Sequence, residues 1–127
     1  MKLYLAGPMR GIKDFNFPAF DAAAYILRHK GHNVFSPAER DIAKYGDIFY
    51  SETGDEKDIP AHVNFSLREA LGADLSYICA EAEGIALLPN WDRSKGACAE
   101  AAAGIALNLE IIKLDENYDI VGAQRGG

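Results

Sequence analysis

Gly84-Ile85-Ala86-Leu87-Leu88, then Pro89-Asn90-Trp91-Asp92-Arg93-Ser94-Lys95, then the run Gly96 to Leu109 (GACAEAAAGIALNL) is the stretch on which the fold turns. Five apolar residues bounded by turn formers read as a buried strand. The polar segment after them is a loop, and the apolar run beyond it reads as a buried helix. Strand, polar loop and helix in that order are the unit of an α/β sheet, in which ligands gather at the carboxyl ends of the strands. Glu100 is the only charged side chain between Gly96 and Leu109. A carboxylate there has to be paired, hydrogen-bonded or at work on something.

The amino terminus repeats the unit. Lys2-Leu3-Tyr4-Leu5-Ala6 reads as a strand, and Gly7-Pro8-Met9-Arg10-Gly11 follows it with glycines for close backbone approach and one Arg for an anion. A helix is expected next, with Pro18 at its first position, Phe20, Ala23, Ala24 and Leu27 at helical spacing, and Gly31 as a left-handed cap. Asn33-Val34-Phe35-Ser36 reads as a short second strand ending at Pro37. The polar stretch 38–60 is expected to be an irregular excursion, either a lid or an inert loop. A second helical region from about Val63 to Ala82 presents Phe65, Leu67, Leu71, Leu75 and Ile78 as one buried face and also carries Asp74. Glu110 to Leu114 is expected as the last strand and 115–127 as a frayed tail. The alternation predicts an α/β domain spanning 1–127, with a mostly parallel sheet of four to five strands covered on both faces.

A chain of 127 residues makes one domain of ordinary size. Its net charge of −6, with no basic cluster, disfavours a nucleic acid polymer. Cys79 and Cys98 form no C-x-x-C pair and are expected as reduced, buried thiols, which fits the cytoplasm. His29, His32 and His62 show no metal-ligand spacing, so neither metal nor cofactor is expected. No segment is long and apolar enough for a signal peptide or a membrane span.

A carboxylate fixed early in a helix can act as nucleophile at an anomeric carbon, where the departing group leaves an oxocarbenium-like centre. Glu100 suits that role, and Asp74 is the candidate for the second carboxyl, which protonates or holds the leaving group. Each residue also has a plainer reading. Glu100 would be a core carboxylate satisfied by Tyr4 or an amide, Asp74 a solvated acid, Ser94 a helix cap, Arg10 a surface charge, and Trp91 either a base-stacking ring or a cover for the sheet edge.

Tyr4-Leu5-Ala6-Gly7-Pro8-Met9-Arg10-Gly11, Ala73-Asp74-Leu75 and Ser94-Lys95-Gly96-Ala97-Cys98-Ala99-Glu100 together resemble the three signature segments of the nucleoside 2-deoxyribosyltransferase superfamily. They are most similar to its small phage and bacterial branch, DUF4406. The resemblance implies a flavodoxin-like (Rossmann-like) three-layer sandwich and cleavage of an N-glycosidic bond in a nucleoside or its 5'-monophosphate, by hydrolysis or deoxyribosyl transfer. It maps the nucleophile onto Glu100, the aspartate near the leaving base onto Asp74, and the tyrosine that holds the nucleophile onto Tyr4. Gly7, Met9, Arg10, Gly11, Ser94 and Gly96 would line the sugar or phosphate end, with Trp91 toward the base. Ser94 resembles the phosphate-contacting serine of the monophosphate hydrolases, and Arg10-Gly11 their phosphate loop. Pro8 departs from them, standing where they carry a small hydroxyl residue. The superfamily also implies a homodimer or higher homo-oligomer. The competing class is a nucleotide-binding or sensor protein of the same fold without turnover.

Overall fold

The computed structural model describes residues 1–125. Its elements are β1 (Lys2–Ala6), α1 (Phe17–His29), β2 (Asn33–Phe35), α2 (Pro37–Tyr45), α3 (Leu67–Ala80), β3 (Gly84–Leu87), α4 (Lys95–Ala106), β4 (Glu110–Leu114) and β5 (Ile120–Arg125). Short 3-10 turns occupy Lys13–Asn16, Glu56–Asp58, Ala61–Val63 and Trp91–Arg93. The five strands form one sheet in the order β2-β1-β3-β4-β5. The first four run parallel and β5 pairs antiparallel with β4. Strand order therefore reverses direction between β1 and β3, and this flavodoxin-like switch point opens a crevice beyond their carboxyl ends.

Alternation along β1 sorts the core into two layers. Leu3 and Leu5 face the side that buries Phe20, Ala23, Ala24 and Leu27 of α1. Tyr4 and Ala6 face the other side, against Ile78 of α3 and Ala97 and Ala101 of α4. Helix α1 ends as its sequence predicts, with Gly31 at φ +94° just beyond it.

The helix α4 lies so close to the sheet that a Cβ on Gly104 would sit 2.5 Å from Ile85 Cγ1. Gly104→Ala is expected to cost about 1–2 kcal/mol net, overpacking outweighing the better helix propensity of alanine. Thermal denaturation should show a midpoint lowered by about 5 °C, and an unchanged midpoint would refute the close approach.

Five expectations need correction. The stretch 38–60 is not wholly irregular, because Pro37–Tyr45 forms α2 with Ala38 and Asp41 buried. The tail is not simply frayed. Asp115 Oδ1 accepts from the amides of Asn117 and Asp119 and turns the chain back, so that 120–125 pair with β4 as an edge strand. Gly126 and Gly127 lie outside the described residues. The long helix starts at Leu67, and Leu67 itself is 43% exposed, so its buried face is narrower than the spacing suggests. Helix α4 buries one side only: Ala97, Glu100, Ala101 and Gly104 face inward, whereas Ile105 and Leu107 are exposed. Cys79 is likewise exposed and Cys98 half-buried, both as free thiols. Among the described residues no helix is long and apolar enough to cross a membrane.

Candidate active site

Three helix ends and two strand ends meet over the switch point. The alternation that turns Tyr4 away from α1 carries its ring beneath α3 and α4, where it is fully buried. The ring stacks on Phe35 at 5.7 Å between centroids and leans on Tyr77 at 6.4 Å, so its hydroxyl has one direction to point. It donates to Glu100 Oε2 at 2.7 Å. Burial and two neighbouring carboxyls push the Tyr4 phenol well above its ordinary range, which keeps it a proton donor.

Glu100 projects from the second turn of α4 and is 6% exposed. Desolvation, then the adjacent Asp74 carboxyl, push Glu100 up to about 8 against the lowering effect of the Tyr4 hydrogen bond. Asp74, on the inner face of α3, is also buried and also raised, because desolvation outweighs the attraction of Arg40. Two carboxyls that both resist ionisation, one beside the other, are the arrangement in which a single proton is shared.

Ser94 caps α4: its Oγ accepts from the Ala97 amide at 3.1 Å. The first turn of that helix, with Lys95 and Gly96, opens into a cavity of about 540 Å³. Tyr4, Asp74 and Glu100 line its floor together with Gly7, Met9, Arg10, Ser94 and Gly96. Gly11 and Trp91 are not among the lining residues. Trp91 is half-buried against the Tyr4 side of the core. Gly11 spends its N–H on the Gly54 carbonyl at 3.1 Å. The segment after α2 thus straps the loop that follows β1. Ser51 and Asp14 exchange bonds there, the Asp14 amide donating to Ser51 O at 2.6 Å and the Ser51 amide to Asp14 Oδ1 at 2.9 Å. Glu56 pairs with Arg10 at 3.2 Å, both side chains about half exposed. On the loop itself, Asn16 Nδ2 holds the Pro8 carbonyl at 2.9 Å.

Sequence reasoning missed Arg40 and Asp41, which line the same cavity from α2. The signal was present. Pro37 at the helix start, Glu39 in the first turn, Lys44 in the last, and Ala38, Ile42 and Tyr45 at helical spacing mark a helix from Pro37 to Tyr45. Among the described residues no group of His, Cys, Asp and Glu side chains could hold a metal ion.

This α/β architecture is shared with a solved enzyme structure. A 2-deoxyribosyltransferase from Bacillus psychrosaccharolyticus superposes with a TM-score of 0.60 at 22% identity, covering 96% of this chain and 77% of that one. The Domain of unknown function (DUF4406) family matches residues 1–113, and the chain belongs to that family. No curated protein matches it.

Proposed function

We propose that the protein is an enzyme that cleaves the N-glycosidic bond of a small nucleoside or nucleoside 5'-monophosphate, with Glu100 as nucleophile. The observation that carries this reading is the buried Tyr4–Glu100 hydrogen bond at 2.7 Å beside Asp74, on the floor of a cavity large enough for a nucleoside. In the first step a Glu100 oxygen bonds to the anomeric carbon as the carbon–nitrogen bond breaks, and the departing base takes the proton held by Asp74. The electron pair of the broken bond leaves with the base, and an ester joins sugar to Glu100. Water or a second base then attacks the anomeric carbon, gives its proton to the Asp74 carboxylate and releases Glu100 as a carboxylate, which restores the starting state. Tyr4 holds the nucleophile in place and stays a donor throughout.

The phosphate end is the weaker half. Pro8 supplies no N–H, Gly11 has given its own to Gly54, and Arg10 already has an anionic partner in Glu56. Lys95, Arg93 and Gly96 in the first turn of α4 still line that side. Glu56→Gln is expected to tighten binding of a deoxynucleoside 5'-monophosphate by about 2–5-fold, the worth of a half-exposed ion pair, and to leave the unphosphorylated nucleoside unchanged. Calorimetric titration of both ligands decides it, and equal effects on the two would place Arg10 away from any phosphate.

The exposed Ile105 and Leu107 at the end of α4 support a homodimer or higher homo-oligomer, to be read from sedimentation at several protein concentrations. To test the reaction, deoxynucleosides and their 5'-monophosphates are incubated with the protein, with and without a free base, and base release is followed chromatographically. Release without an acceptor supports hydrolysis, and exchange that needs one supports deoxyribosyl transfer. No release by the wild type from any substrate sinks the enzymatic reading and leaves a binding protein of the same fold.

A further inference from the structure

Arg40 stands between two buried carboxylates. Its Nη1 donates to Asp74 Oδ1 at 2.7 Å and to the Ala70 carbonyl at 3.2 Å, while Nε donates to Asp41 Oδ1 at 2.9 Å. Nη2 lies 2.9 Å from the same Asp41 oxygen. The three side chains are 17%, 9% and 6% exposed for Arg40, Asp74 and Asp41. One planar guanidinium therefore serves two anions in a dry place, with the Glu100 carboxyl adjoining the second. With all three carboxyls ionised the cluster would carry −2, which burial of this depth resists. A proton is retained, and its location decides the chemistry. On Glu100 it masks the nucleophile; on Asp74 it supplies the acid and leaves Glu100 anionic.

Arg40 touches Asp74 and not Glu100, so its charge favours ionised Asp74 over ionised Glu100. We infer that Arg40 is a positioning residue that assigns the proton shared by Asp74 and Glu100. Docked on Asp74 it keeps the proton on Glu100, and its withdrawal lets that proton pass to Asp74, unmasking nucleophile and acid together. The transfer moves one proton from a Glu100 oxygen to an Asp74 oxygen and changes nothing else in charge. A hydrogen-bond acceptor on the ligand, such as a carbonyl oxygen of a base, is what would draw Nη1 away.

The groups that act on the pair come from every element around it: Tyr4 from β1, Arg40 and Asp41 from α2, Asp74 from α3 and Glu100 from α4. Lys44 acts on Asp41 from the next turn of α2, and desolvation holds Asp41 itself up to about 6. Arg10, Arg93 and Lys95 stand around the cavity.

This inference rests on Glu100 and Asp74 being the reacting pair, but its test reads the protons of the ligand-free protein and needs no turnover. Carboxyl carbon resonances of the full chain are titrated by NMR in the wild type and in Arg40→Gln. The wild type should show the higher-pH step mainly at Glu100 and the lower one at Asp74. In Arg40→Gln the share of the upper step seen at Glu100 should drop by at least half and reappear at Asp74. An unmoved upper step in a folded Arg40→Gln overturns the inference, since a merely structural arginine would change the melting temperature and not the site of the proton. Should Arg40→Gln not fold, Asp41→Asn decides. It leaves Arg40 with a single carboxylate and should lower the Asp74 step by about one pH unit, whereas an unchanged Asp74 step overturns the inference. Absence of base release from every substrate would defeat the proposed reaction while leaving this titration to be read on its own.

Discussion

Glu100→Gln is expected to lower the rate of base release by at least about 10³-fold while nucleoside binding stays within a few-fold of the wild type. The amide keeps the shape of the side chain and can still meet the Tyr4 hydroxyl, so the cavity is preserved. What is lost is the anionic carboxylate oxygen that would bond to the anomeric carbon, the neutral amide being a poor nucleophile, and removing a nucleophile removes a whole covalent path rather than a fraction of its stabilisation. Single-turnover measurements of base release, paired with ligand-induced shifts in melting temperature, separate the two quantities. A variant that retains a tenth of the wild-type rate would exclude Glu100 as nucleophile. A variant that loses binding in proportion to rate would make Glu100 a ligand-binding group rather than the nucleophile.

The second large effect is on stability, and it depends on pH. Glu100 ionises near 4.5 in an unfolded chain and near 8 in the folded one, because burial and the Asp74 charge oppose its ionised form. The folded state therefore binds a proton that the unfolded state has released between those values, and stability falls as pH rises through the window. Asp41 acts in the same sense between 3.8 and about 6. Glu39 acts oppositely and lower down, since the Arg28 guanidinium depresses it and its contribution is lost only as pH falls below the ordinary carboxylate range. Wild-type protein should lose on the order of 3 kcal/mol through Glu100 between pH 5 and pH 9. Glu100→Gln should match the wild type near pH 5 and exceed it at pH 9 by that amount. Urea denaturation at both values gives the difference, and a gap that is the same at pH 5 and pH 9 would mean Glu100 is not held protonated by the fold.

Much of this site was legible before any coordinates. The strand Gly84–Leu87, the Ser94 cap and the lone acid of Gly96–Leu109 are local patterns, and periodicity reports local burial well. Tyr4 was indicated by the resemblance, and alternation on β1 puts its ring on the face that meets α3 and α4. Helix α2 escaped notice because Glu39, Arg40, Asp41 and Lys44 gave it a polar look; its buried charges are tolerated only because Arg40 finds Asp74 across the gap to α3. Strand β5 escaped because its side chains are mostly exposed, so no apolar alternation marks it; what holds it is the backbone ladder to β4. The cysteines were misjudged for a related reason. An apolar neighbourhood in sequence does not say which side of a helix meets the sheet, and Cys79 lies on the side that does not.

The sequence by itself determined the elements that bury their own apolar faces, the order of strands and helices that makes a parallel sheet, and the identity of the acid that had no reason to be in an apolar helix. Tertiary structure alone decided the company that acid keeps. Asp74 is 26 residues from Glu100 and Arg40 a further 34 from Asp74, and no spacing rule links them. They meet because the crossover that follows β2 brings α2 and α3, and the one that follows β3 brings α4, back to one end of the sheet. The ionisation of a carboxyl depends on how much water is excluded and which charges lie within a few ångströms, and both are properties of that meeting rather than of any segment of the chain.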